Sequence, residues 1–353
     1  MNSIERVQTV LAGGIPDRVP VDLHNFLMTA HASGMPFPDF LRDGAAMAEW
    51  QIRLWREFGH DLLILESGTT TLAEACGCGV EYLPGSAPVL VRPVLDSLDD
   101  LDRLSIPDFA SAFPLNQNLV ATRIVSREIG EQAYLLSRAD QGPFSLASML
   151  LGLEKFLLAL SDPKEHPKLH ALLAFALETV YRYAVAQAEQ GARMTSIGES
   201  LSGPDVTSPR MYREFEWGYA CRLVERLKQK SIPLAYHICG NATRIVGDMV
   251  ATGSAVLELD YKCDLPKIKE AARGKTTILG VIDPSSVLAL GTPELVAAKV
   301  QEELSILAEG GGLILGPGCA LPPATPFENV HALVEAAHRY GRYAPDGSLL
   351  PAR

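Results

Sequence analysis

A chain of 353 residues has room for one large α/β domain or two smaller ones, and 47% apolar with 21% charged residues suits a polypeptide that buries a sizeable core. Its formal charge of −11 excludes the basic footprint that a polyanionic nucleic acid demands. No run of roughly 18 apolar residues offers a membrane span, and the N-terminal MNSIERVQTVLAGG puts Glu5 and Arg6 where a signal peptide needs an apolar stretch, so a cytoplasmic protein is expected.

Along the chain, short apolar runs alternate with long amphipathic stretches. The runs are Val19–Leu23, Asp61–Leu65, Ala133–Ser137, Met194–Gly198, Pro233–Ile238, Ala255–Leu259, Thr276–Val281 and Gly312–Leu315. They are near-continuously apolar rather than alternating, as strands covered on both faces are. The stretch from about Glu66 to Glu131 is less regular, with several prolines and acids, and is expected to be an extended insertion after the second strand, carrying a short hairpin and helices. Ser208-Pro209 opens a helix running to about Lys230. Thr292-Pro293-Glu294 opens another, with Leu295, Val296, Val300, Leu304 and Leu307 as its apolar stripe and Gly310 at its end. Thr325-Pro326-Phe327-Glu328 reads as a capping box, and Gly341 closes that last helix.

Strands alternating with helices imply a parallel sheet, and eight strands close a barrel. A doubly wound open sheet is the rival, disfavoured because no Gly-x-Gly-x-x-Gly follows any of the runs. The expectation is a single (β/α)8 TIM barrel over residues 1–353.

The segment Pro233-Leu-Ala-Tyr-His-Ile-Cys-Gly240 carries the most chemistry. In a strand, residues i and i+2 point the same way, so His237 and Cys239 project together at the C-terminal end of a barrel strand, where this fold places its sites. An imidazole and a thiolate make half of a tetrahedral zinc site, and Cys319, in the Gly316-Pro-Gly-Cys319 loop after the last strand, is a candidate third ligand. Three protein ligands leave one position open, as in a catalytic zinc. A His-x-Cys pair also arises readily by chance. Cys263 and the Cys76-Gly-Cys78 pair compete as thiols, and spacing does not choose among them.

HICGN at 237–241 and PGCALPPATPFENVHALV at 317–334 resemble the uroporphyrinogen decarboxylase superfamily, in particular its methyltransferase branch of methylcobamide:coenzyme M methyltransferases and corrinoid-dependent O-demethylating relatives. AEACGC at 73–78, QGPFSLASMLLGLEKFL at 141–157, SGPDVTSPRMYREF at 202–215 and LGVIDP at 279–284 extend the resemblance over nearly the whole chain, in order. The resemblance implies that His237, Cys239 and Cys319 ligate zinc. It implies a methyltransferase working with a corrinoid, presented by a carrier protein, and with a small-molecule methyl donor or thiol acceptor. Zinc would either deprotonate a thiol substrate that then attacks a corrinoid-borne methyl group, or polarise the oxygen of a methyl ether as Co(I) takes its methyl. The sequence departs from true decarboxylases in having no arginine from Val19 to Leu41, where they carry an Arg-rich segment for porphyrinogen carboxylates.

Carboxylates at strand ends complete the expected site. Glu74, which matches the family pattern, is the first candidate for a near-site catalytic role, joined by Glu199 and Asp260. His24, Glu66 and Asp283 are expected to face substrate at the same mouth. The bland alternative is that such carboxylates cap helices or pair with lysines. His331 and His338, seven apart on the last helix, read as packed or solvated. The apolar stretch HNFLMTAHASGMPF at 24–37 suits an aromatic ring better than a sulfonate, which leans the reading towards ether demethylation. A thiol methyltransferase, a corrinoid-binding barrel without turnover, and a zinc hydrolase using a carboxylate base stay as alternatives, and self-association into a homo-oligomer stays open.

Overall fold

A computed structural model describes residues 1–83 and 87–351. Residues 84–86, inside the stretch read as an insertion, and 352–353 at the end of the expected barrel domain lie outside the described residues. The described residues form ten strands: β1 (Asp22–Leu23), β2 (Leu62–Leu65), β3 (Gly79–Glu81), β4 (Val89–Arg92), β5 (Tyr134–Gln141), β6 (Met194–Gly198), β7 (Leu234–Ile238), β8 (Val256–Leu259), β9 (Thr277–Ile282) and β10 (Leu313–Pro317). Eight form a parallel sheet in the order β1-β2-β5-β6-β7-β8-β9-β10. A parallel bridge between Val21 and Leu315, with the Leu315 amide donating to the Pro20 carbonyl at 2.9 Å, closes it into a (β/α)8 barrel. Each apolar run in the sequence corresponds to one barrel strand.

The strands are continuous apolar runs because both faces are covered. Leu62, Ile64, Tyr134, Leu136, Met194, Ala235, Val256, Leu279 and Ile314 fill the interior. Their alternate neighbours pack outward against the helices in the largest core cluster, where Leu257, Leu259, Ile278, Leu313 and Leu315 meet Val296, Val300, Leu304 and Leu333. Between β2 and β5 the chain forms the helix Thr71–Ala75, the antiparallel β3–β4 pair, a 3-10 segment Leu98–Arg103 and the helix Leu115–Ile129. Among the described residues no single helix is long and apolar enough to cross a membrane.

Local punctuation follows the sequence in part. The Ser208 side chain accepts from the Met211 amide, although the helical stretch it opens passes through a π turn at Arg213–Trp217 and ends at Lys228. Thr292 caps Pro293–Leu307, but Leu295 is 40% exposed and lies outside the buried stripe. The capping box at Thr325 does not form. The Thr325 hydroxyl turns back to donate to the Pro322 carbonyl at 2.8 Å, and Pro326 occupies the N-cap position of Phe327–Tyr340 without a side-chain hydrogen bond. A hydroxyl committed to its own preceding turn is no longer free to accept from the helix.

Candidate metal centre

Alternation along the strands decides what faces the barrel mouth. Ala235 is in the interior, so His237, two residues on, also points inward, and Cys239 follows just past the end of β7. His237 lies in register with Glu258 on β8. Its Nδ1 is 3.0 Å from the Glu258 carbonyl oxygen. A carbonyl only accepts, so Nδ1 carries the hydrogen and Nε2 keeps its lone pair for a ligand. That Nε2 lies 3.0 Å from Cys239 Sγ.

Cys319 enters from the loop after β10. The amide of Gly318 donates to the Ile282 carbonyl at 2.8 Å, and a Cβ on Gly318 would meet the Tyr261 nitrogen at 2.8 Å, so glycine is what lets the loop lie this close to the β8 end. The potential ligand atoms of His237, Cys239 and Cys319 all lie within 4.8 Å of one another, the group among the described residues that could hold a metal ion. The rival thiols are engaged elsewhere. Cys78 contacts the Met149 carbonyl and Cys263 the Gly240 carbonyl, and burial pushes Cys76 up to about 12 and Cys263 up to about 11. Cys239, hydrogen-bonded to Cys319, is drawn below the ordinary thiol range, while Cys319 is pushed up to about 12 by the same contact and by burial. Two sulfurs sharing one proton hold the first negative charge readily and the second only against a cation.

Beside this triad lies a buried quartet of charges. His24, following β1, puts Nε2 2.5 Å from Glu66 Oε2 and Nδ1 3.1 Å from Glu258 Oε1. Arg138 on β5 donates from Nη1 to Glu258 Oε2 at 2.9 Å and brings Nε within 3.7 Å of Glu66. All four are less than a tenth exposed. Burial works against the charge on His24, but the Glu66 and Glu258 carboxylates outweigh it and raise it to about 10. Burial likewise opposes the Glu258 charge, and Arg138, His237 and His24 hold it well below the usual carboxylate range. Two cations and two anions therefore neutralise one another. Asp22, one step deeper on β1 with both carboxyl oxygens unpartnered, is pushed well above the usual carboxylate range by burial.

The uroporphyrinogen decarboxylase (URO-D) family profile matches residues 2–340. The chain belongs to this family. It is similar to the methylcobamide:CoM methyltransferase MtbA of Methanosarcina acetivorans, 27% identical over 350 residues that cover 95% of this chain and 97% of the relative. It is also similar to the uroporphyrinogen decarboxylase of Pseudoalteromonas atlantica, 27% identical over 86% of this chain and 85% of that one. A solved methyltransferase from Methanosarcina mazei superposes with a TM-score of 0.87 at 26% identity, covering 96% of this chain and 98% of its own. The barrel of this URO-D family member is thus the family barrel.

Within that family frame, the remaining candidates separate by partner. His24 and Glu66 belong to the charged quartet beside the triad. Asp260 accepts from the Gly240 amide at 2.9 Å and the Lys262 amide at 3.1 Å, holding the turn that follows Cys239. Glu199 accepts from the Phe144 and Ser145 amides and the Ser145 hydroxyl, capping the helix Pro143–Leu151. Asp283 caps Pro284–Ala289 through the Ser285 and Ser286 amides. Glu74, half-buried, accepts from the Tyr82 hydroxyl at 2.6 Å, a contact of the β3 region rather than of the triad. His331 pairs with Glu57 and packs edge-on to Phe58, and burial lowers His338 to about 4. Arg138 and Glu258 escaped sequence reasoning because each sits inside or just past an apolar run. The available signal was a charged residue at an inward position of a strand buried on both faces.

Proposed function

We propose that this chain is a zinc-dependent methyltransferase that moves a methyl group between a small substrate and a corrinoid borne by a carrier protein. The observation that carries the proposal is the convergence of His237 Nε2, Cys239 Sγ and Cys319 Sγ at the barrel mouth. The donor set fits zinc in kind: one imidazole whose tautomer is fixed by the Glu258 carbonyl, and two sulfurs whose shared proton a cation would displace. Zinc held there would act as a Lewis acid with one coordination position left for substrate, and a corrinoid would supply the methyl donor or acceptor.

The residues of the chain do the rest by position. His237 is fixed on β7 and Cys239 just past its end, and Cys319 is brought to them by the Gly318 turn. Asp260 holds the backbone beyond Cys239. The quartet of His24, Glu66, Arg138 and Glu258 forms a rigid, charge-balanced floor. The names of the Methanosarcina relatives favour a thiol acceptor. A methyl ether is favoured by the apolar core cluster of Phe26, Phe37, Leu27 and Met35, on which Ala320, next to Cys319, packs. We place the ether first. A decarboxylase reading has the support of relatives such as that of Pseudoalteromonas, but the mouth cations Arg138 and His24 are already neutralised and no arginine lies between Val19 and Leu41.

The test is metal content per chain in wild type and Cys239→Ala, followed by assays with free corrinoid and aryl methyl ethers, simple thiols or uroporphyrinogen. About one zinc per wild-type chain, lost in the variant, with methyl transfer seen as a change in the corrinoid absorption spectrum, is the expected result. A folded protein that holds no zinc, or that releases CO2 from uroporphyrinogen, overturns it.

A further inference from the structure

The segment Glu199–Leu201, between β6 and the following helical stretch, is pinned more firmly than a connecting loop requires. The Glu199 carboxylate takes the Phe144 amide at 3.0 Å, the Ser145 amide at 2.8 Å and the Ser145 hydroxyl at 2.7 Å, so it is fully engaged at the start of Pro143–Leu151. The Leu201 amide returns to the same Ser145 hydroxyl at 3.3 Å. The Glu199 amide donates to the His237 carbonyl at 2.8 Å, which ties the segment to β7 as well. Ser200 sits between these anchors with its hydroxyl oxygen 3.7 Å from Cys239 Sγ.

Resting on the reading of His237, Cys239 and Cys319 as a metal site, we propose that Ser200 is a positioning residue for that site, its hydroxyl donating a hydrogen bond to the Cys239 sulfur while Glu199 and Ser145 hold it there. A cysteine that ligates a metal does so as a thiolate, which can only accept hydrogen bonds. The partner hydroxyl must then donate, and 3.7 Å is an ordinary separation for a contact to sulfur. Such a donor restricts the sulfur to one rotamer and draws off part of its charge, and the loss of a group that orients a ligand typically weakens metal binding 10–100-fold. The serine is also well placed to be specific. Glu199 could cap the helix without it, so nothing in the clamp itself demands a hydroxyl at 200.

The experiment compares wild type, Ser200→Ala and Ser200→Thr by competition for Zn2+ against a chelating dye and by the charge-transfer absorption of the Co2+-substituted proteins. The expected result is roughly ten-fold looser zinc in Ser200→Ala, a shifted sulfur-to-cobalt band, and values near wild type in Ser200→Thr, with unchanged circular dichroism in all three. Equal zinc affinity and an unmoved band in Ser200→Ala overturn the role of Ser200 while leaving the metal site standing. A wild-type protein that binds neither ion overturns the metal reading instead, and this inference with it.

Discussion

Glu258 is where the two halves of the mouth meet. Its carbonyl fixes the His237 tautomer, while its carboxylate holds His24 at 3.1 Å and Arg138 at 2.9 Å. The two functions are separable, because a substitution of the side chain leaves the carbonyl in place. Glu258→Gln would leave buried His24 and Arg138 facing the single carboxylate of Glu66. Removing one partner from a buried ionic group costs about 3–5 kcal/mol, since an uncompensated charge remains. The expected outcome is an unfolding free energy, from urea titration, lowered by that amount together with near-stoichiometric zinc, because the backbone contact to His237 survives. A change below about 1 kcal/mol would show that the quartet is not held as a unit.

At the scale of elements, the helix Pro143–Leu151 shows how a strand-end carboxylate came to look catalytic. The helix opens with Gly142 and Pro143 and has no capping side chain of its own, so Glu199, just past β6, caps it across 54 or 55 residues of sequence. Gly142 makes room, for a Cβ there would lie 2.2 Å from Glu199 Oε1. Its φ of −74° is open to any residue, so Gly142→Ala is a purely steric test. It is expected to destabilise by about 1–3 kcal/mol, as overpacking does. In a Glu199→Ala background the same alanine should cost little, because the clash has gone, and a double-mutant cycle from thermal unfolding reads the coupling. Additive effects would mean that the glycine serves some other purpose. This pairing also marks the limit of the sequence. The eight strands were legible because burial on both faces makes them continuous apolar runs, and His237 and Cys239 were legible through their i, i+2 spacing. Cys319 was separated from Cys76, Cys78 and Cys263 by family resemblance, since choosing among thiols needs the fold. The cap partner of Glu199 and the inward charges Arg138 and Glu258 depend on contacts between elements far apart in the chain, which no local pattern encodes.

For the molecule as a whole, the shortest strand of the barrel lies at its seam, where β1 is two residues long and meets β10 through the Val21–Leu315 bridge. Asp61, fully buried at the start of β2, secures that seam from one side. It accepts from Arg6 at 2.6 Å, from Arg18 at 2.6 Å and from the Val21 amide at 2.9 Å, while its own amide donates to the Val21 carbonyl. Burial alone would raise its carboxyl, but Arg18 and then Arg6 outweigh that and hold it below the usual carboxylate range. A carboxyl depressed in the fold contributes stability that is fully present above its unfolded pKa of about 3.9 and is lost as pH falls through the folded value. Asp61→Asn removes the charge that two arginines share, so it is expected to lower stability by about 3–5 kcal/mol at neutral pH. The gap between variant and wild type should then narrow below about pH 4, where the carboxyl takes up its proton in the unfolded chain while the fold still holds it ionised. Other buried carboxyls, Glu199 raised to about 7 and Glu303 to about 8, bind protons more readily in the fold and tilt the acid limb the opposite way in both proteins. Taking the difference between wild type and Asp61→Asn from pH 3 to 8 by chemical denaturation cancels them. A gap that stays constant down to pH 3 would place the loss in packing rather than in the ion pairs, and the seam would then owe its closure to the Val21–Leu315 bridge and the bond from the Leu315 amide to Pro20.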